Sequence, residues 1–318
     1  MLQYLIILLD DKSTSYCHYV NGKEDRKLIS LGVLKAAIRF GMVENLMIQF
    51  VYPEGELPQE YKDAVESIDH SKIVPAKSKD SALLIEADVV VFNEWSDMVD
   101  FSFCDQQAYV LRTNKTDLFA RYAEIVPVLG KAIRLNVVIT DVETFTDEDS
   151  KKYKQMLAFL SDEVEELYAG GKSSQLNLLT DRMMLKEMNN CGAGQGNITL
   201  APNGKFYICP AFYYLDEADS IGDLEHGLDI KNKQLYRLDY APICSHCDAY
   251  QCKRCIWLNR KTTLEVNTPS HEQCIVAHVE RNASRQLLTN IRKYGIFLPE
   301  TEIKEIDYLD PFDKREEW

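Results

Sequence analysis

The sequence predicts an α/β fold: a parallel sheet, open or curved into a partial (β/α) barrel, followed by a small cysteine-rich metal module. Three observations predict it. Short apolar runs alternate with amphipathic stretches over residues 1–185, the pattern of repeated βα units. Seven of the nine cysteines fall between Cys191 and Cys274. The same segment is rich in turn residues and poor in helical periodicity, which suits a module organised around metal instead of a large apolar core. The boundaries read as 1–185 for the βα region, 186–275 for the cysteine-rich module, and 276–318 for a closing helix with an acidic tail.

The first strand is the apolar run at residues 4–9. Leu31, Leu34 and Ile38 stand at helical spacing, a second strand follows at 46–51, and Tyr61, Ala64, Val65 and Ile68 mark the next helix. Further strands are expected at 72–74, 89–92, 109–111, 135–139 and 176–179. Between the last two, Tyr153, Met156, Leu157, Leu160, Val164 and Leu167 mark a long helix. Each βα unit should cross over right-handedly. Gly170-Gly171, followed by Lys-Ser-Ser, reads as a turn and not as a linker. Residues 198–209 read as a β-hairpin, because Asn203-Gly204 can supply the positive φ angles of a tight turn. That turn fixes where Cys209 lands. Val276, Val279, Ala283, Leu287 and Ile291 predict the closing helix, and the acidic tail from Pro299 is expected to be peripheral.

At 318 residues, 46% hydrophobic and 10% aromatic, the chain can bury a full-sized core. Lys and Arg number 36 against 50 Asp and Glu, and a net charge of −14 argues against a nucleic-acid partner, which needs a basic surface. The run at 4–9 is too short to span a bilayer and no basic segment precedes it, so neither a signal peptide nor a membrane helix is expected. A cytoplasmic location follows as the expectation. In a reducing cytosol, cysteines at short spacings read as metal ligands before disulfides. Neither a Gly-x-Ser-x-Gly nor a His-Glu-x-x-His motif occurs, and there is no phosphate loop.

The cysteine pattern carries the chemistry. After Cys191, twelve residues lead to Gly204 and four more to Cys209; then come Cys244-x2-Cys247-x4-Cys252-x2-Cys255, and Cys274 stands alone. A two-residue gap lets both thiolates of a knuckle face one metal centre, and two such pairs within twelve residues supply more sulfur than one ordinary site needs. Lys253, Arg254, Arg260 and Lys261 lie nearby. They either offset the thiolate charge and hydrogen-bond the sulfurs or form a solvated face. Iron–sulfur clusters are one occupant of such a pattern; a zinc module of treble-clef or ribbon type is the other. Cys104, between Phe103 and Asp105, reads as structural.

This arrangement resembles the SPASM domain of peptide-modifying enzymes, whose pattern is Cys, nine to fifteen residues, Gly, four residues, Cys, then Cys-x2-Cys-x5-Cys-x3-Cys and a final Cys. All seven cysteines and the glycine match, with the gaps after Cys247 and Cys252 each one residue shorter. The resemblance implies two 4Fe-4S clusters. It assigns Cys191, Cys209 and Cys255 to one, and Cys244, Cys247, Cys252 and Cys274 to the other. SPASM domains follow a radical S-adenosylmethionine (SAM) domain, a partial βα barrel whose Cys-x3-Cys-x2-Cys loop after the first strand holds the cofactor-cleaving cluster. Here that loop keeps only Cys17, with His18 beside it, so S-adenosylmethionine is a doubtful cofactor. Gly55-Glu56-Leu57-Pro58 echoes the turn that holds the cofactor's amino acid in that family.

Along nearly its whole length the chain is similar to the maturases of CXXX repeat peptides, small ribosomally made peptides with a cysteine at every fourth position. The opening run with Cys17-His18-Tyr19, the stretch at 44–53 and the Cys191 to Cys274 block carry the likeness. It implies maturation of a Cys-rich precursor peptide by a SPASM-bearing protein of the radical SAM superfamily with a degenerate first cluster motif. The alternative is a non-catalytic zinc-binding scaffold or peptide chaperone serving a partner maturation enzyme.

Overall fold

The computed structural model describes residues 2–23, 26–186, 188 and 191–313. In chain order the elements are β1 (Tyr4–Leu8), α1 (Leu31–Val43), β2 (Met47–Val51), α2 (Gln59–Val65), β3 (Ser71–Pro75), α3 (Ser81–Ile85), β4 (Val89–Phe92), β5 (Ala108–Thr113), α4 (Lys115–Arg121), α5 (Val126–Leu129), β6 (Arg134–Ile139), α6 (Asp147–Ala169), β7 (Gln175–Leu176), α7 (Asn177–Met184), β8 (Asn197–Leu200), β9 (Phe206–Tyr207), α8 (Pro210–Leu215), β10 (Gly222–Asp223), β11 (Gly227–Leu228), α9 (Ile256–Thr263) and α10 (His271–Ile291). The fold is α/β with mainly parallel strands, as the alternation along the sequence predicts. Two compact units form, residues 1–100 with 192–236, and residues 101–191 with 237–318.

In the first unit the strand order is β4-β3-β2-β1-β8-β9. β1 pairs in parallel with β2 on one side and β8 on the other, with Tyr4 opposite both Met47 and Asn197. Leu5, Ile7 and Leu8 are fully buried, which is why this strand reads as an unbroken apolar run instead of an alternating one. Ser30 caps α1 by accepting from the Val33 N–H. The helix turns Leu34, Ala37, Ile38 and Gly41 inward, and a Cβ on Gly41 would lie 2.6 Å from the Ile48 side chain, which would have to shift to admit it. The expected hairpin is present: β8 and β9 pair antiparallel, and β8 also extends the main sheet. Of the two turn residues Gly204 alone takes a positive φ, 80°. Asn203 works through its side chain, accepting from the Lys205 N–H (3.1 Å) and donating to the Tyr207 hydroxyl (2.8 Å).

The second unit carries β5, β6 and β7, all parallel. The expected strand at 176–179 is corrected: β7 stops at Leu176 and the chain turns directly into α7. The cause is Asn177, whose side-chain amide accepts from the Val137 N–H (2.8 Å) and donates to the Val137 carbonyl (2.9 Å). It satisfies the edge of β6 as a strand residue would, freeing its own backbone to enter the helix. α6 is the expected long helix, opened by a capping box between Thr146 and Asp149. Between α6, α7 and α10 lies a buried ionic core: Tyr153 donates to Glu280 (2.6 Å), and Glu280 pairs with Arg182. The described part of the tail, residues 299–313, expected to be peripheral, is instead fastened down. Ile303 is buried, the Glu302 carbonyl accepts from Gln251 (2.9 Å), the Lys304 carbonyl accepts from the buried Arg281, and Asp310 is buried against His271.

Candidate metal centre

Local structure delivers four thiols to one place in the second unit. Cys244 opens a single helical turn, Cys244–His246, after which the Cys247 N–H donates to the Cys244 carbonyl (3.3 Å). Residues 251–254 are pinned from three directions. Gln251 donates to the Glu302 carbonyl, Lys253 pairs with Asp181 of α7, and Arg254 donates to the Asn267 carbonyl (2.9 Å). Cys274 sits in the first turn of α10, whose N-cap Ser270 accepts from the Gln273 N–H. As a result Cys244, Cys247, Cys252 and Cys274 line one cavity of about 30 Å3 together with Arg254 and His278.

None of the nine cysteines, all of them among the described residues, forms a disulfide. Burial pushes Cys252 up to about 12, with the charge of Arg182 opposing and the sulfurs of Cys244 and Cys247 adding to the rise. Cys274 is raised by burial and then by Cys252 and Cys244. Cys244 is raised by burial against the pull of Arg254. Burial and neighbouring sulfurs disfavour the thiolate forms of Cys244, Cys252 and Cys274, and a cationic centre that takes them as thiolates relieves this. By donor type the set is of the kind that an iron–sulfur cluster or zinc takes. Among the described residues, no group of three or more His, Cys, Asp or Glu side chains is placed so that it could hold a metal ion.

Of the four basic residues flanking the run, Arg254 meets a thiol. It is buried, and its Nη1 lies 3.5 Å from the Cys244 sulfur. Lys253 pairs with Asp181, Lys261 with Glu143, and Arg260 caps the Leu264 carbonyl (2.7 Å). The remaining cysteines divide. Cys255 caps α9, its sulfur accepting from the Leu258 N–H (3.4 Å), and burial followed by the charge of Cys191 pushes it up to about 12. Cys191 is exposed with a left-handed backbone, φ 57°. Cys209, half-buried before α8, belongs to the first unit. Cys104 is exposed, its N–H donating to the Tyr109 hydroxyl (2.7 Å).

The loop after β1 is built differently. Counting back from half-buried Cys17 by the Cys-x3-Cys-x2-Cys spacing, the other two positions hold Asp10 and Thr14. Asp10 is fully buried and accepts from Arg26 Nε (2.6 Å) and from the Lys12 N–H (2.7 Å). Thr14 accepts from Asn93 (3.2 Å). The Arg26 guanidinium continues to the Glu56 carbonyl (3.2 Å), and a Cβ on Gly55 would stand 2.7 Å from it. The turn that echoes the family's cofactor-holding turn thus packs on an arginine. Tyr213 donates to Asp11 (2.5 Å), and Tyr214 stacks on Tyr19. This loop does not fit a three-thiolate cluster. A larger cavity of about 350 Å3, between α2 and α3, is lined by Tyr52, by the pairs Lys62–Asp80 and Lys72–Glu86 and by Gly55, Glu56 and Leu57 of the turn at residues 55–58, and by none of the cysteines.

Sequence reasoning missed three residues. His278 lies four residues after Cys274 on α10, so the helical period puts both on one face; that signal was available. Tyr308, whose hydroxyl accepts from the Asp248 N–H (3.0 Å) and lies 3.8 Å from the Cys247 sulfur, and Arg26 reach their partners across long stretches of chain and leave no local signature.

The fold so defined is a mainly parallel α/β architecture already seen in solved structures. Native anSMEcpe with bound AdoMet and Cp18Cys peptide is similar at TM-score 0.64 and 11% identity, over 92% of this chain and 100% of that one. Native anSMEcpe with bound AdoMet and Kp18Cys peptide gives 0.55 and 12%, over 92% and 96%, and native anSMEcpe with bound AdoMet alone gives 0.54 and 11%, over 92% and 96%. At these identities the likeness is one of fold. No family model matches the sequence, and no curated protein does. Among the described residues no helix is long and apolar enough to cross a membrane.

Proposed function

We propose that this chain is a peptide-maturation protein of the radical SAM/SPASM class that acts in the cytoplasm on a Cys-rich, CXXX-repeat precursor. The observation that carries the reading is the gathering of Cys244, Cys247, Cys252 and Cys274 around one cavity. The fold likeness supports the class, since anSMEcpe is an anaerobic sulfatase-maturating enzyme of the radical SAM/SPASM type crystallised with peptides. In this reading residues 186–275 form the metal module. Cys244, Cys247, Cys252 and Cys274 hold a complete 4Fe-4S cluster; Cys191, Cys209 and Cys255 hold a second with one iron free of protein sulfur, where a substrate thiolate can bind. The clusters supply ligation and electron transfer. The chain's own part is to hold those thiolates and to keep the loop after β1 closed through Asp10 and Arg26.

The closed loop favours a second reading, a zinc-binding scaffold or peptide chaperone that presents the precursor to a partner enzyme. Peptide binding tests what both share, and metal content separates them. Anaerobically reconstituted protein should bind a synthetic peptide with cysteine at every fourth position, measured by fluorescence anisotropy, and should not bind its serine counterpart. Equal binding of both, or of neither, overturns the proposal.

The filled loop gives a further prediction. Reduced protein with S-adenosylmethionine should release no 5′-deoxyadenosine above a no-protein control, because no three-cysteine site leaves an iron free for the cofactor. Its appearance would mean that ligands from elsewhere complete the site.

A further inference from the structure

The cavity between α2 and α3 lies wholly within the first unit. α1, α2 and α3 each join neighbouring parallel strands in the order β1-β2-β3-β4, and right-handed crossovers put all three on one face of the sheet. β3 turns Lys72 toward that face. Its ammonium lies 2.8 Å from Glu66 and 2.7 Å from Glu86, the residues that end α2 and α3. Lys62 is held in the same way by Asp80, at 2.9 Å. With Glu56 the lining carries four acids against two lysines, so negative charge is in excess. Glu66 and Glu86 each meet Lys72 through one oxygen, and the other oxygen of each has no hydrogen-bond partner among the described residues. Tyr52 stands beside these charges. It is five per cent exposed and lines the cavity, yet its hydroxyl has no hydrogen-bond partner among the described residues. Burial, and after it the charges of Glu66, Glu86 and Asp80, hold the phenol above its ordinary value, so the hydroxyl stays neutral and its oxygen can accept. A buried hydroxyl without a partner is costly, and one that faces a cavity is completed by what enters it.

We propose that this cavity binds an alkylammonium group, its N–H donors held by the Tyr52 oxygen and the unused oxygens of Glu66 and Glu86, its methylene chain against Leu57 and Leu83. The excess of carboxylates attracts a cation and repels an anion. A metal ion would need the seat that the Lys72 ammonium fills between the two glutamates, and among the described residues no group of acids is placed to hold one. The volume, at the small end of ligand pockets, suits a short linear amine. Such an ammonium belongs either to a free amine or to the lysyl side chain of a peptide, and the site offers both the same contacts. The inference is independent of the iron–sulfur reading.

The test is isothermal titration calorimetry of the whole chain with cadaverine and with Nα-acetyl-lysine methylamide, and with glutarate, of like length and opposite charge, as the control. At least one amine should saturate a single site with a Kd below about 1 mM, and glutarate should not bind. Tyr52→Phe keeps the ring and removes the hydroxyl, so affinity should fall by about three- to tenfold, the worth of one hydrogen bond. Glu86→Gln, at an exposed position, removes a charge and should lower affinity by about tenfold or more. Thermal melts on both variants check that they are folded; if Glu86→Gln melts early, Tyr52→Phe decides. Binding of the lysine derivative alone supports the proposal with a peptide side chain as the ligand, and binding of cadaverine alone supports it with a free amine. No saturable binding of either amine, equal binding of glutarate, or affinities unchanged in both folded variants overturns the inference and leaves the metal-centre reading standing.

Discussion

Cys274→Ala should lose the iron of one whole cluster, roughly four atoms per chain, and with it the cooperative unfolding of the cysteine-rich segment. Cys274 is buried in the first turn of α10, and Cys244 and Cys247 flank the turn that faces it across the cavity. Structural metal sites contribute about 10–16 kcal/mol of apparent binding energy, most of which is folding energy in a small module. Loss of one of four ligands forfeits a large part of that. Cys191 offers the contrast, being exposed at the start of its segment, so Cys191→Ala should be much milder. Metal analysis and thermal melts on the two variants check this. Full iron and an unchanged melting temperature in Cys274→Ala, with unfolding in Cys191→Ala, would mean that the cysteines are divided in another way.

Glu280→Gln should destabilise the second unit by about 3–5 kcal/mol, the usual cost of breaking a buried ion pair. Glu280 pairs with Arg182, accepts from Tyr153 and is itself five per cent exposed. Burial holds its carboxyl above the usual range, with Arg182 opposing. Without the carboxylate, the Arg182 charge stays enclosed and uncompensated. The effect reaches the metal centre because Arg182 lies on α7 beside Asp181, which anchors Lys253, while α10 carries Cys274 and His278. Urea midpoints at constant slope measure the loss. The double variant Arg182→Met with Glu280→Leu should recover most of it, since an apolar pair of similar volume replaces a buried ion pair at little cost. A loss under about 1 kcal/mol in Glu280→Gln, the range of an exposed pair, would mean that Arg182 finds another partner.

What the sequence reveals follows from how local each signal is. β1 and α6 declare themselves because burial sets their residue pattern, continuous in one and helical in the other. The cysteine set is legible for the same reason, since knuckle spacing is itself a local geometry. The strand expected at 176–179 misleads because Leu-Asn-Leu-Leu satisfies either period; what decides is a side-chain bond from Asn177 to a strand 40 residues away. The acidic tail looks detachable by composition, yet its carbonyls serve Gln251 and Arg281, partners that composition does not reveal. Arg26 bridges Asp10 and the Glu56 carbonyl across separations of 16 and 30 residues. The absence of two cysteines is visible in the sequence, but what stands in their place is not.

Cys244, Cys247, Cys252 and Cys274 should by themselves suffice to hold an iron–sulfur cluster. Iron, zinc and acid-labile sulfide should be quantified after anaerobic reconstitution of the chain carrying Cys191→Ala, Cys209→Ala and Cys255→Ala, with the other four cysteines intact. A brown protein with about four irons and four sulfides per chain is the expected result. A colourless protein with one zinc per chain, or a protein with neither metal, would contradict it.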